Sequence, residues 1–174
     1  MEQTQDDLYR AAGEQFAPAI ARLARAMERD GDRARDLEQD IHAELWRSFA
    51  RFDGRCSLKT WTYRIAHNVA ADHVAADARR LRPVPLDEIE ALPAADDTER
   101  TAAESHALRR VRKLIRRLAP LDAQVILLWL EGQSGEEIAD VTGLSANAAQ
   151  VRIHRIKALL TGAFDQPAKG GSTS

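Results

Sequence analysis

Residues 82–106 divide this chain into two stretches of helical sequence, and that division most constrains its fold. Pro83, Pro85 and Pro93 fall inside the segment, and proline removes a backbone donor that a continuing helix needs. Seven Asp/Glu stand there against two Arg/Lys. The segment is long for a loop within one compact domain and reads as a linker. On either side, apolar residues recur every three or four positions, the period of a helix with one buried face.

Before the linker, Leu8, Phe16, Ile20, Leu23 and Met27 predict a helix over 7–29, broken at Gly31. Leu37, Ile41, Leu45 and Phe49 step by four, with Trp46 beside them. FDGRCS (52–57) reads as a tight loop with Gly54 at its centre. Ser57 is placed to cap a third helix over 58–80, with Trp61, Ile65, Val69 and Val74 facing inward. After the linker, Leu108, Val111, Ile115 and Leu118 resume the period up to Pro120. Further runs cover Asp122 to Leu130, Gly135 to Val141 and Ala146 to Leu160. No strand pattern or internal repeat competes. The expectation is an all-α chain of two small helical domains, 1–81 and 107–161. A flexible acidic linker, 82–106, joins them, and a disordered tail, 162–174, follows.

Composition narrows the function classes. The net charge of −2 conceals an uneven distribution. Residues 1–81 carry 13 Arg/Lys against 14 Asp/Glu, whereas 107–160 carry nine against five. A nearly neutral first part, an acidic middle and a basic last part fit two modules joined by a linker. The single cysteine, Cys56, excludes an internal disulfide framework. No apolar run approaches ~18 residues, so no membrane span is expected. The polar start MEQTQDDLYR is unlike a signal peptide, and the expected location is the cytoplasm. The five histidines, at 42, 67, 73, 106 and 154, are too scattered for a metal site. With no catalytic triad, phosphate loop or carboxylate pair, neither enzymatic activity nor a cofactor is expected.

GEEIADVTGLSANAAQVRIHRIKALL (135–160) carries the most physical content. Ile138, Ala139 and Val141 face a core, and Gly143 permits the left-handed backbone of a sharp turn. Leu144 packs under that turn, and Ser145 caps the next helix. Ala149, Ile153 and Ile156 share one side of that helix. Gln150, Arg152, His154, Arg155 and Lys157 lie largely on others. This is the pattern of a helix-turn-helix, whose second helix fits the DNA major groove while its cations neutralise phosphates. An ordinary helical hairpin with a solvated basic face is the plainer alternative.

A second cluster, LKTWTYRIAHN (58–68), sets Trp61 and Tyr63 among Lys59, Arg64, His67 and Asn68. Single-stranded nucleic acid uses that combination, because bases stack on rings and cations follow phosphates. Spacing alone also allows Trp61 to be a core residue beside Ile65.

Taken together, TWTYRIAHN and the helix-turn-helix, in that order across a poor linker, resemble the extracytoplasmic-function sigma factors. These are small members of the sigma-70 family, and the likeness covers about residues 8–80 and 107–160. It implies a factor that binds core RNA polymerase through its β and β′ subunits and directs it to promoters. The first domain would be sigma region 2, reading and melting the minus-ten element. The second would be sigma region 4, reading the minus-thirty-five element. Relatives are commonly held inactive by an anti-sigma protein.

Residue by residue, the resemblance assigns polymerase binding to Asp36, Glu38, Gln39 and Asp40. Arg33 and Arg35 stand just upstream, where the family often has acids. It assigns minus-ten DNA, duplex or melted, to Phe52, Arg55, Lys59, Tyr63, Arg64, His67, Asn68, Arg79 and Arg80. The 52–58 loop would capture a flipped base, with Asn68 contacting it. For the minus-thirty-five element it assigns Ser145, Asn147, Gln150, Arg152, His154, Arg155 and Lys157. Two other functions fit parts of the pattern. One is a conventional helix-turn-helix regulator, which leaves TWTYRIAHN unexplained. The other is a sigma mimic that titrates an anti-sigma partner. Free in solution, the chain is expected to be a monomer whose two domains move independently.

Overall fold

The computed structural model describes residues 3–77 and 106–165, with side-chain surroundings up to 162. Seven helices account for nearly all of the described residues: α1 (Gln5–Met27), α2 (Gly31–Phe49), α3 (Leu58–Asp77), α4 (His106–Arg117), α5 (Pro120–Leu130), α6 (Gly135–Thr142) and α7 (Ala146–Asp165). The linker from 82 to 105, with Arg79 and Arg80, lies outside the described residues, as does 166–174.

Local chemistry sets the ends. Thr4 and Asp7 form a reciprocal capping box at the start of α1. Asp30 caps α2 by accepting from the backbone of Asp32 and Arg33. Gly31 is therefore the first helical residue rather than the break, which falls at 28–30. Ser57 Oγ accepts from Thr60 N at 3.0 Å and starts α3. Gly54, at φ 72°, turns the loop before it. The sequence pattern ends the last helix at Leu160, before Gly162. The structure carries α7 on to Asp165.

α1, α2 and α3 form a three-helix bundle. Ile20, Leu37, Ile41 and Leu45 are its largest fully buried side chains, as the four-residue spacing predicts. α3 departs from the expected phase. Trp61, Ile65, Val69 and Val74 are only half-buried, while Thr62, Tyr63, Ala66, His67 and Ala70 form its buried line. Trp61 instead lies edge-on to Phe52, with ring centroids 5.3 Å apart, and donates its indole N–H to Ser48 Oγ at 2.9 Å.

α5 is the centre of the second module. Its sequence PLDAQVILLWL is apolar nearly all round, and Val125, Ile126 and Leu128 are fully enclosed. Such a helix must be covered on several sides, and α4, α6, α7 and α3 do so. Asp122 is buried within this shell, and Arg152 of α7 pairs with its carboxylate.

The two modules touch. α1 packs against α4, and α3 packs against α5 and α6. Polar pairs on helix faces join the modules in this arrangement, beside the expectation that the two domains move independently. Arg22 of α1 makes two hydrogen bonds to the Glu131 carboxylate, at 2.6 and 2.7 Å. Lys59 pairs with Glu137, and Arg64 donates to the Asp140 carbonyl at 2.6 Å. Gln124 donates to the His67 carbonyl at 3.2 Å. Between these contacts lies a largely apolar cavity of about 370 Å³, lined by α1, α3, α4 and α5.

Arg152→Ala should leave Asp122 buried without its counter-ion and lower stability by about 1–3 kcal/mol in a urea melt. An unchanged midpoint would show that the pair contributes nothing. Leu45→Ala, in the first bundle, should cost about 2–5 kcal/mol by the same measurement.

Candidate nucleic-acid interface

The helix-turn-helix comprises α6, the turn and α7. Ser134 caps α6 by accepting from Glu137 N at 3.1 Å, and the Glu137 carboxylate accepts from Ser134 N at 2.8 Å. Gly143 ends α6 in the left-handed region at φ 79°, which only glycine adopts without strain. Leu144 packs half-buried beneath the turn, and Ser145 Oγ accepts from Ala148 N at 3.1 Å to start α7. Gly135 is buried against Gln150, and a Cβ there would collide with the Gln150 amide. α6 packs directly on α7.

α7 divides its polar residues into two groups. Ala149, Ile153 and Ile156 are buried, as expected. Asn147, Val151 and His154, at intervals of four and three, lie along an exposed stripe flanked by Gln150 and Arg155. This is the face free to enter a groove. Arg152 is committed to Asp122, and Lys157 stacks over Trp129 with its Nζ 4.8 Å from the ring centroid. These two cations hold α7 to α5, so the reading of them as DNA contacts is separated from that of Arg155 and His154. Ser145 does a cap's work.

In the first module the candidate minus-ten residues also separate. Arg55 and Asn68 are exposed. The Arg55 backbone N–H donates to Asp53 Oδ1 at 3.1 Å, which shapes the loop around Gly54. Phe52 is half-buried between Phe49 and Trp61 and props the loop from below. Lys59 and Arg64 reach the second module. Tyr63 and His67 are buried at 6% and 3% exposure, which corrects their reading as surface groups in this arrangement. Burial raises the Tyr63 hydroxyl above its ordinary range. Desolvation lowers His67 to about 4, and its Nδ1 has no hydrogen-bond partner. Arg79 and Arg80 fall outside the described residues.

On α2, Asp36, Gln39 and Asp40 lie exposed along one face, at steps of three and one. Glu38 is half-buried and points off that face. Arg33 and Arg35 do not extend the face as free cations. Arg33 pairs with Asp77 and lies 3.4 Å from Glu28, while Arg35 pairs with Asp32. Glu28, His73 and Asp77 lie close enough to share a metal ion, but the Arg33 guanidinium already supplies positive charge to both carboxylates.

Sequence reasoning missed the partners that settle these roles. Asp122, Trp129, Glu131 and Asp140 carry no local signal. Only Glu137 does, through the Ser-x-x-Glu capping spacing.

The depressed His67 value has a consequence for pH. The unfolded chain takes up the His67 proton below about 6.5, whereas the folded chain resists it down to about 4. Stability from neutral His67 is therefore present above about 6.5 and falls across that window by up to about 3 kcal/mol. Thermal melts should show this loss in the native chain, and His67→Gln should flatten it. An equal slope in both would contradict the assignment.

Comparison with known proteins agrees with this geometry. Residues 14–80 match the Sigma-70 region 2 family, and residues 108–160 match Sigma-70, region 4. The chain is 32% identical over 146 residues to the RNA polymerase sigma factor CarQ of Myxococcus xanthus, covering 80% of this chain and 79% of CarQ. It is 25% identical over 154 residues to the sigma factor YlaC of Bacillus subtilis, covering 87% of each. It spans only 40% of the probable sigma factor RfaY of Xanthomonas campestris, at 26% identity. Two solved structures share the fold. CnrH, in complex with the cytosolic domain of CnrY, superposes with a TM-score of 0.65 at 24% identity, covering 95% of this chain and 92% of that one. The sigma factor RpoE of Bartonella quintana, bound to the anti-sigma factor NepR, gives 0.68 at 20% identity, covering 91% and 98%. Both modules, in the order found here, place the chain in the extracytoplasmic-function group of the sigma-70 family of RNA polymerase sigma factors.

Proposed function

We propose that this sigma factor docks on core RNA polymerase through the α2 face of Asp36, Gln39 and Asp40. It then reads a two-part promoter, with no catalysis of its own and in the cytoplasm. The observation that carries this reading is the α7 stripe of Asn147, Gln150, Val151, His154 and Arg155. It is exposed on a helix whose other cations are already fixed. Such a stripe presents donors and acceptors to base edges, while helix and turn stay rigid. Val151 and the small residues near it make the polar contacts few, so DNA shape contributes to recognition. The 52–58 loop and Asn68 form the exposed edge for a base extruded from the melted strand. By likeness to CnrH and RpoE, whose structures hold CnrY and the anti-sigma factor NepR, an anti-sigma protein controls this chain as well.

The test is multi-round transcription from a genomic fragment library, with core polymerase present and this chain added or omitted. New RNA 5′ ends sharing a two-part upstream motif support the proposal. Core binding without new starts points instead to a sigma mimic. Duplex binding without core points to a conventional regulator. In the same assay Arg155→Ala should cost about 1–3 kcal/mol at one upstream position and relax preference there. Uniform weakening would make it a phosphate contact. Asn68→Ala should impair opening with polymerase binding intact, and Asp40→Arg should abolish polymerase binding with the fold preserved.

A further inference from the structure

We propose that the cavity between α1, α3, α4 and α5 is a binding site for a small neutral molecule. Its ligand has an apolar ring body and one hydroxyl or N–H group, which hydrogen-bonds His67. The site lies apart from the surfaces assigned to promoter DNA and polymerase, and the inference does not rest on that function.

Size sets the first limit. The cavity holds about 370 Å³. Clefts that take small organic ligands measure about 300–1,000 Å³, with mostly apolar walls and a few converging polar groups. A space at the low end of that range suits a molecule of one or two rings. A partner helix, about 10 Å across with its side chains, does not fit. Leu23, Val111, Ile115 and Leu127 supply apolar wall, and moving an apolar body from water onto such a wall is favourable in proportion to the area covered.

Charge sets the second limit. Arg22 and Glu131 stand on the polar side of the wall, but each answers the other through two hydrogen bonds. Arg112, also on the wall, is engaged as well. Tyr63 keeps its proton, because burial raises its hydroxyl above the ordinary range. His67 stays neutral, because desolvation lowers it to about 4. Among the described residues, the wall therefore offers no uncommitted charge to balance an ionic ligand. An ion moved from water to such a place is unfavourable.

His67 defines the polar contact. It lines the cavity at 3% exposure, and its buried Nδ1 has no hydrogen-bond partner among the described residues. Buried polar atoms are nearly always hydrogen-bonded. The His67 carbonyl accepts from Gln124, so the ring nitrogen is the group left for a ligand. A neutral imidazole nitrogen donates or accepts according to its tautomer, and a ligand hydroxyl answers either.

The rim supplies an entry. Leu108 and Leu130 line the same cavity and are 43% and 50% exposed. They are two of the four large apolar side chains exposed among the described residues. An apolar rim continuous with an apolar interior marks a ligand groove rather than a sealed packing defect.

The test is isothermal titration of the full chain with 5-indanol and with indane, which has the same rings and no hydroxyl. The native chain should bind both, and 5-indanol more tightly by about 2–10-fold, the scale of one neutral hydrogen bond. His67→Phe keeps a ring and removes Nδ1, so it should erase that preference while retaining indane. Ala26→Phe extends a ring into the cavity from α1 and should abolish binding of both. Leu108→Trp, at the exposed rim, narrows the mouth without entering the core and should weaken both. It keeps the test decisive if a buried variant does not fold, which circular dichroism reads directly. The proposal is overturned if neither compound binds the native chain. It is also overturned if a folded His67→Phe chain keeps the preference, or if both compounds bind the Ala26→Phe and Leu108→Trp chains as they bind the native one. No polymerase or promoter enters the experiment, so its outcome is independent of the promoter-reading function.

Discussion

Helix α3 is shared between two cores, and the rest of the molecule is arranged around that constraint. Its buried line, Tyr63, Ala66, His67 and Ala70, faces α1 and the second module together. Phe16 of α1 meets the Tyr63 ring at 5.6 Å between centroids, and Tyr63 and His67 lie 6.4 Å apart. A histidine in that position is desolvated and stays neutral. Polar groups at the edges of the same surface, Lys59 and Arg64, are left to find partners across the junction. The same helix carries the residues to which the resemblance to sigma factors assigns the melted strand. Packing and that proposed role therefore draw on overlapping side chains.

Much of the architecture is legible in the sequence because single-helix packing is a local property. Leu37, Ile41 and Leu45 repeat every four residues and are all enclosed. Gly54 and Gly143 mark turns because their positions require positive φ. Ser57, Ser134 and Ser145 cap helices because a side-chain oxygen replaces a missing backbone acceptor. The phase of α3 was not legible in this way. A helix buried on one side shows one stripe, but α3 is contacted by α1, α2, α5 and α6. Its pattern is the superposition of those faces, and Trp61 and Ile65 dominate it by size without being its most buried residues.

The candidate site was legible at the level of residue type and not of role. Arg152, Arg155 and Lys157 look alike in sequence. The structure separates them by what lies opposite: a buried carboxylate for Arg152, an indole ring for Lys157 and solvent for Arg155. The module contacts are less legible still, since Arg22 and Glu131 are 109 positions apart. Nothing in either local pattern announces the other. Arg33 illustrates the same point, because its ion pair with Asp77 reaches the far end of α3. A cation at the place of a family acid is thereby given a structural use.

In this structure α6 covers one surface of α3 and joins the two modules. The most direct measurement is the distance between spin labels at Arg10 on α1 and Thr161 on α7, in a Cys56→Ser background, read by double electron–electron resonance on the free chain. One short, narrow distance is expected. A broad, long distribution would contradict the packing of the two modules.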